Sequence, residues 1–259
     1  MRYILIAIFI LSPLLIKAQE KTFELITDRP DQTESSAVVP LKTLQLETGF
    51  IMETDKAGDL EIKSFAYNTT LLRFGLLKNF ELRLGLDYLG EKITDDTFNS
   101  SGSVSGLSPL YTGFKVKIAE EEGWKPEIAF LGGLILPFTA TNDFRPEYSA
   151  VNIDFAFSHT LSERISLGYN LGAKMDGESA EPGYFYSLAL NIGLTDNFCM
   201  FTECYGLIGE KGYAEHLADA GFTYLLLPNL QFDISGGIGI NDNATDNFIS
   251  FGLSYRIPR

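Results

Sequence analysis

The feature that most constrains this chain is a two-residue rhythm that recurs from Leu44 to Ile257. Phe80, Leu82, Leu84, Leu86 and Tyr88 alternate with Glu81, Arg83, Gly85 and Asp87. The same alternation runs through 151–158, 165–172, 230–240 and 250–257. Successive side chains of a strand point to opposite faces, so each such segment has one apolar and one polar face. A soluble sandwich alternates too. The connections separate the two. Leu77–Asn79, Leu161–Arg164, Thr195–Asn197 and Leu227–Asn229 are tight, and each is followed by an apolar residue that opens a new strand. Those around Asp55–Asp59, Glu91–Val104, Pro137–Tyr148, Lys174–Gly183, Glu210–Leu217 and Asn241–Asp246 are long and acidic. Short and long connections alternate, as periplasmic turns and external loops do in an outer-membrane barrel.

The segments read as strands are 43–54, 60–75, 79–91, 104–119, 124–137, 148–159, 164–174, 183–194, 197–209, 217–226, 229–240 and 247–257. Most exceed the roughly 9–11 residues that a tilted strand needs to cross a bilayer. The predicted fold is therefore all-β. It is a transmembrane antiparallel up-and-down barrel of about 12 strands with a non-regular N-terminal segment at or in the lumen. Ser250–Ile257, with Gly252, Tyr255 and Ile257, resembles the C-terminal signal by which such barrels are recognised for assembly, although Pro258-Arg259 follows instead of a terminal aromatic.

Met1–Ala18 reads as an export signal: Arg2 gives a positive start and Tyr3–Ile16 is almost unbroken apolar sequence. Residues 19–42 form a lead-in, and 43–259 the barrel. Removing the signal takes away Arg2 and Lys17 and no acid, which moves the net charge from −14 to −16. So acidic a surface excludes nucleic acid as a partner. Beyond the signal no stretch approaches the ~18 apolar residues of a membrane-spanning helix. Cys199 and Cys204 are five apart in a strand and point to opposite faces, a geometry unsuited to a mutual disulfide.

With the apolar parity facing lipid, the lumen receives Glu47, Arg73, Arg83, Asp87, Lys115, Lys117, Glu127, Asp154, Glu203, Asp219, Asp233 and Arg256. The lead-in, with Pro30 and Pro40, is crowded with Asp28, Arg29, Asp31 and Glu34. Shielded carboxylates need partners. The predicted plug is held by Asp28, Asp31 and Glu34 against Arg73, Arg83, Lys115, Lys117 and Arg256. The plain alternative is a loose tail, with the wall charges pairing among themselves.

Thr27–Phe50 carries Asp28-Arg29-Pro30-Asp31, Thr33-Glu34-Ser35 and Leu44-Gln45-Leu46-Glu47-Thr48-Gly49-Phe50. In these motifs the chain resembles a bacterial outer-membrane family named "putative MetA-pathway of phenol degradation", often simply "transporter". The resemblance implies an outer-membrane barrel that moves small organic compounds, hydrophobic or aromatic ones among them. Two rival classes stay open: a structural or adhesive barrel without transport, and a barrel enzyme. His159 and His216 are the only imidazoles, no nucleophile can be placed beside either, and Gly-x-Ser-x-Gly is absent. No catalytic residue, cofactor or metal is expected. The expected partners are outer-membrane lipid and lipopolysaccharide, the barrel assembly machinery and a small solute that the sequence does not identify.

Overall fold

A computed structural model describes residues 24–179, 181–209 and 212–258; the export signal predicted at Met1–Ala18 lies outside them. The strands are β1 (Leu44–Ala57), β2 (Leu60–Leu77), β3 (Phe80–Gly85), β4 (Tyr88–Asp95), β5 (Ser100–Leu107), β6 (Leu110–Ala119) and β7 (Glu127–Leu136), followed by β8 (Ala150–Ser162), β9 (Ile165–Lys174), β10 (Gly183–Gly193), β11 (Phe198–Ile208), β12 (Ala214–Leu227), β13 (Leu230–Gly239) and β14 (Asn247–Arg256). All neighbours pair antiparallel, and β14 returns to β1 from Gln45↔Arg256 to Thr54↔Asn247, which closes the barrel. Both β3 and β4 pair with β2, so they are halves of one stave, and β5 and β6 are halves of the next. The barrel therefore has 12 staves. Closure leaves no edge strand around the wall, the condition for β-structure in lipid.

Burial is inverted relative to a water-soluble protein. Gln45, Arg73, Glu81 and Lys115 are 0% exposed, while Phe251, Ile234 and Ile153 are 51%, 49% and 45% exposed. Such an apolar exterior is stable only against lipid, and this is an outer-membrane β-barrel. Among the described residues no helix is long and apolar enough to cross a membrane.

Three of the four tight turns are built alike: the strand before the turn carries a register shift, at Gly75/Leu77, Thr160/Ser162 and Leu225/Leu227. An extra residue there tightens the local twist and lets two residues reverse the chain. The last turn residue then offers its carbonyl to the neighbouring stave: Asn79 accepts from Lys117, Arg164 from Gly193, Asn197 from Leu225 and Asn229 from Arg256.

One sequence boundary needs correction. Glu91–Val104, read as a loop, is mostly the β4–β5 hairpin, with its turn at Asp96–Asn99. The hairpin stands on the extended end of β2, away from the lipid band, and most of β5 is exposed. With water on both faces it needs no apolar parity, so the rhythm that marks other strands is missing. The kink beneath it sits at Pro109, which has no N–H for the ladder. Asp87 and Ser108 bridge the gap: the Ser108 N–H donates to the Asp87 carbonyl (2.9 Å), and the Asp87 N–H donates to Ser108 Oγ (2.9 Å).

The inside/outside assignment is directly testable. An Arg on the lipid face near the midplane costs roughly 2–4 kcal/mol. Leu253→Arg and Phe232→Arg should therefore reduce assembled, heat-modifiable barrel far more than an inward substitution. Ser254, although inward, is 0% exposed. Ser158, which lines open space, is the better inward control. Equal yields for Leu253→Arg, Phe232→Arg and Ser158→Arg would refute the assignment.

Candidate functional site

The lead-in runs inside the barrel and circles its lumen. It passes β14 and β1 first, where Arg256 Nη1 donates to the Glu24 carbonyl (3.0 Å) and Gln45 Nε2 to the Ile26 carbonyl (2.9 Å). It then crosses to the far wall. Gln32 N–H donates to Glu203 Oε2 (2.8 Å), and Thr33 Oγ1 donates to Glu203 Oε1 and accepts from Ser187 Oγ (2.7 Å). Asn170 holds Glu34 at both backbone groups, accepting from its N–H (2.6 Å) and donating to its carbonyl (3.0 Å). The segment returns past Glu127, which accepts from Ser36 Oγ (2.8 Å), and Glu81, which accepts from the Val39 N–H (2.7 Å). A non-regular segment has no ladder for its backbone groups, and here side chains of the wall supply the partners.

Asp28 is the electrostatic centre. Its carboxylate lies 2.6 Å from Arg83 Nη1, 3.0 Å from Arg73 Nη1 and 2.9 Å from Lys115 Nζ. It also accepts from the Ser35 N–H (3.0 Å) and Ser35 Oγ (2.7 Å). Burial pushes this carboxyl up, but Arg73, Lys115 and Arg83 outweigh it and hold Asp28 well below the usual carboxylate range. Glu47 and Glu81 share the same bases, at 2.8 and 2.9 Å from Arg73. Glu34 makes a two-pronged pair with Arg83, both contacts 2.8 Å, yet burial still pushes its carboxyl up to about 7.

Arg29 reaches the other way. Its guanidinium makes two bonds to Asp233, at 2.8 and 3.3 Å, and one to Ser250 Oγ at 3.1 Å. Gly49 and Gly252 face each other across β1 and β14 beneath it. A side chain on either would collide with the guanidinium. These two glycines form the notch in which Arg29 lies flat, which gives a physical reason for Gly49 beside the lead-in motif. Gly49→Val should free Arg29 and loosen the lead-in, read as faster cleavage after Glu34 by a glutamate-specific protease in folded barrels. Protection equal to the parent's would refute the notch.

The structure brings Asp28, Arg29, Glu34, Arg73, Arg83 and Lys115 together with the wall, but it corrects three predicted partnerships. Lys117 pairs with Glu127 (2.7 Å) and Glu120 (3.2 Å) near the β6–β7 turn, not with the lead-in carboxylates. Among the described residues, Arg256 bonds Gln45 Oε1 (3.0 Å) and the Glu24 carbonyl, not the carboxylates of Asp28, Asp31 or Glu34. Asp31 forms no ion pair among the described residues; burial and the carboxylates of Glu203 and Asp219 push it well above the usual range. Neither imidazole faces the lumen: His216 Nδ1 meets Tyr186 Oη at 2.9 Å and His159 Nε2 meets Tyr169 Oη at 3.4 Å on the outer parity. Among the described residues no group of three or more His, Cys, Asp or Glu is disposed to hold a metal ion.

The lead-in leaves a cavity of about 730 Å³ at the turn end of the barrel, between itself and β8–β13. Ser158, Ser166, Asn191, Thr223 and Gln231 line that wall with uncharged polar groups, and Glu127, Glu163, Arg164 and Asp196 line it as well. The ion pairs of Asp28 and Glu34 lie on the opposite side, on β2, β3 and β6. The lumen thus has one side on which the lead-in is held by ion pairs and another, along β8–β13, that is partly open.

Comparison with known proteins agrees with this architecture. A family model described as "Putative MetA-pathway of phenol degradation" matches residues 27–257. Among solved structures, the COG4313 outer membrane channel from Pseudomonas putida F1 superposes with a TM-score of 0.67 at 12% identity, covering 90% of this chain and 100% of that one. The NanC porin matches with a TM-score of 0.51 at 9% identity over 83% of this chain and 100% of its own. The KdgM porin, solved with disordered oligogalacturonate, matches at 0.50 and 8% identity over 82% of this chain and 98% of its own. No curated protein matches.

Proposed function

The chain belongs to the outer-membrane family described as "Putative MetA-pathway of phenol degradation", and on that premise we propose that it is a channel for small compounds whose lumen is narrowed by its own N-terminal segment. The observation that carries this reading is the division of the lumen. A barrel of 12 staves is too wide for its wall side chains alone to fill. Here the lead-in is held by ion pairs on one side and leaves about 730 Å³ on the other. A structural or adhesive barrel has no need to hold a non-regular segment in its lumen by Asp28, Arg29 and Glu34 together.

The solute sizes that fit are those of a sugar, an amino acid or a small aromatic such as a phenol. Hydrophobic and aromatic compounds follow from the family description, while the hydroxyl- and amide-bearing wall favours solutes with at least one polar group. Proteoliposome swelling with sugars, amino acids and small aromatics is expected to show selective entry of solutes at the small end of each series. No swelling with any solute, from vesicles shown to hold folded barrel, would refute the channel reading.

A further inference from the structure

The interior bases are nearly all engaged. Arg29 is committed to Asp233, Arg73 to Glu47, Glu81 and Asp28, Arg83 to Asp28, Glu34 and Glu81, and Lys115 to Asp28 and Glu34. Lys117 serves Glu127 and Glu120, and Lys174 lies 3.5 Å over the Phe185 ring and is in no ion pair among the described residues. On the far side of the lumen two acids have no such partner among the described residues. Glu203 and Asp219 stand directly opposite each other on β11 and β12. Neither is in an ion pair among the described residues, and Glu203 is fixed in place by the Gln32 N–H and the Thr33 hydroxyl. Asp219 is 5% exposed, and neither of its carboxylate oxygens has a hydrogen-bond partner. The nearby Ser235 Oγ on β13 is also unpartnered. The lead-in adds a third acid from inside: Asp31 lines the cavity, and both Glu203 and Asp219 act on its charge.

A buried carboxylate without a donor is costly unless a positive charge or a proton joins it. Asp219 is such a group, and Glu203 opposite it and Asp31 from the lead-in add their charge on the same side of the lumen. We infer that Asp31, Glu203 and Asp219 form a cation-binding constriction that takes small monovalent cations and organic ammonium solutes. The three carboxylates are not disposed to chelate a metal ion, so the cation is held by charge and by hydrogen bonds to its N–H groups or hydration water. The cavity supplies the approach: Asp31 forms part of its wall. The repulsion that pushes the Asp31 carboxyl up is relieved by an ammonium ion as it is by a proton. This deepens the channel reading by giving the charge class of the solute, and rests on it for transport but not for binding.

The native cysteines provide the test. Cys199 lines the same cavity, whereas Cys204 is exposed on the opposite, lipid-facing parity. In the Cys204→Ser barrel, Cys199 should react faster with a trimethylammonium methanethiosulfonate than with its sulfonate counterpart. Each rate is divided by that of the unfolded chain, and the remaining preference is expected to be about tenfold or more, as in other focused electrostatic fields. Asp31→Asn with Asp219→Asn should bring it close to unity. A parent preference near unity or toward the sulfonate overturns the proposal, as does a preference that survives the double substitution. Failure of Cys199 to react even with uncharged methyl methanethiosulfonate overturns it too, because the cavity is then shut. Reversal potentials in a KCl gradient are expected to show selectivity for potassium, lost in the double variant, and anion selectivity overturns the proposal. Cation-preferring labelling in a barrel that carries no current leaves the site standing and removes the channel reading, so the two failures are distinguishable.

Discussion

Deletion of Asp28–Ser36 is expected to raise bilayer conductance and liposome leak severalfold while the barrel still assembles. None of these nine residues belongs to a strand, and the wall closes on itself through β1, β2 and β14 without them. Their removal deprives Lys115 of both its carboxylates and Arg83 of two of its three. The space they leave admits water, however, and a hydrated base carries little of the penalty of a buried one. Arg73 keeps Glu47 and Glu81. The deletion should therefore widen the lumen rather than collapse it. Single-channel recording on heat-modifiable barrels reads the outcome. Unchanged conductance in a folded deletion variant would reduce the lead-in to a passive filler and leave the proposed channel without its constriction.

How much of this was legible in the sequence depends on what each residue answers to. A strand between lipid and lumen must alternate, so the inside/outside parity and the count of staves could be read from Phe80–Tyr88 and its repeats. The β4–β5 hairpin answers only to water, and its Ser- and Gly-rich sequence carries no such mark. Charge complementarity indicated that Asp28 and Glu34 need bases, but sign alone does not give position. Lys117 and Arg256 had the right sign and sit at the turn end with other partners. Asp31 had the same sign as Asp28 and faces carboxylates instead. Glu81 stood on the inward parity beside Arg83 and belonged in the predicted lumen set. Asn170 and Ser187 carry no charge, so nothing in the sequence distinguishes them from other inward polar residues. The Gly49 and Gly252 notch becomes visible only when closure sets the two glycines opposite each other.

The strongest single-site effect should come from Asp28→Asn. This change keeps volume and the hydrogen bonds from Ser35, and removes one negative charge from among Arg73, Arg83 and Lys115. All three bases are nearly inaccessible to water, with side-chain exposures of 0%, 2% and 0%. Removing one partner of a buried ionic group typically costs about 3–5 kcal/mol, because the other charge stays behind uncompensated. The barrel wall has its own closed hydrogen-bond ladder, and the lead-in does not. The cost should therefore be met by release of the lead-in. Asp28→Asn is expected to approach the conductance of the deletion while its heat-modifiable transition shifts only modestly. Asp31→Asn is the matched control: it lies three residues further on in the same strand-free segment, is equally conservative, and removes repulsion rather than attraction. It should leave the lead-in at least as firmly seated. The sign of the Asp28 effect also fixes its pH dependence. A carboxyl held below its ordinary range anchors the closed form above that range, and loses this role only as pH falls through its lowered value. Mild acid should therefore not open the parent channel through Asp28. If Asp28→Asn and Asp31→Asn shift conductance equally, the three-base cluster is not what holds the lead-in, and its seat must lie instead in the backbone bonds to Glu203, Asn170 and Glu81.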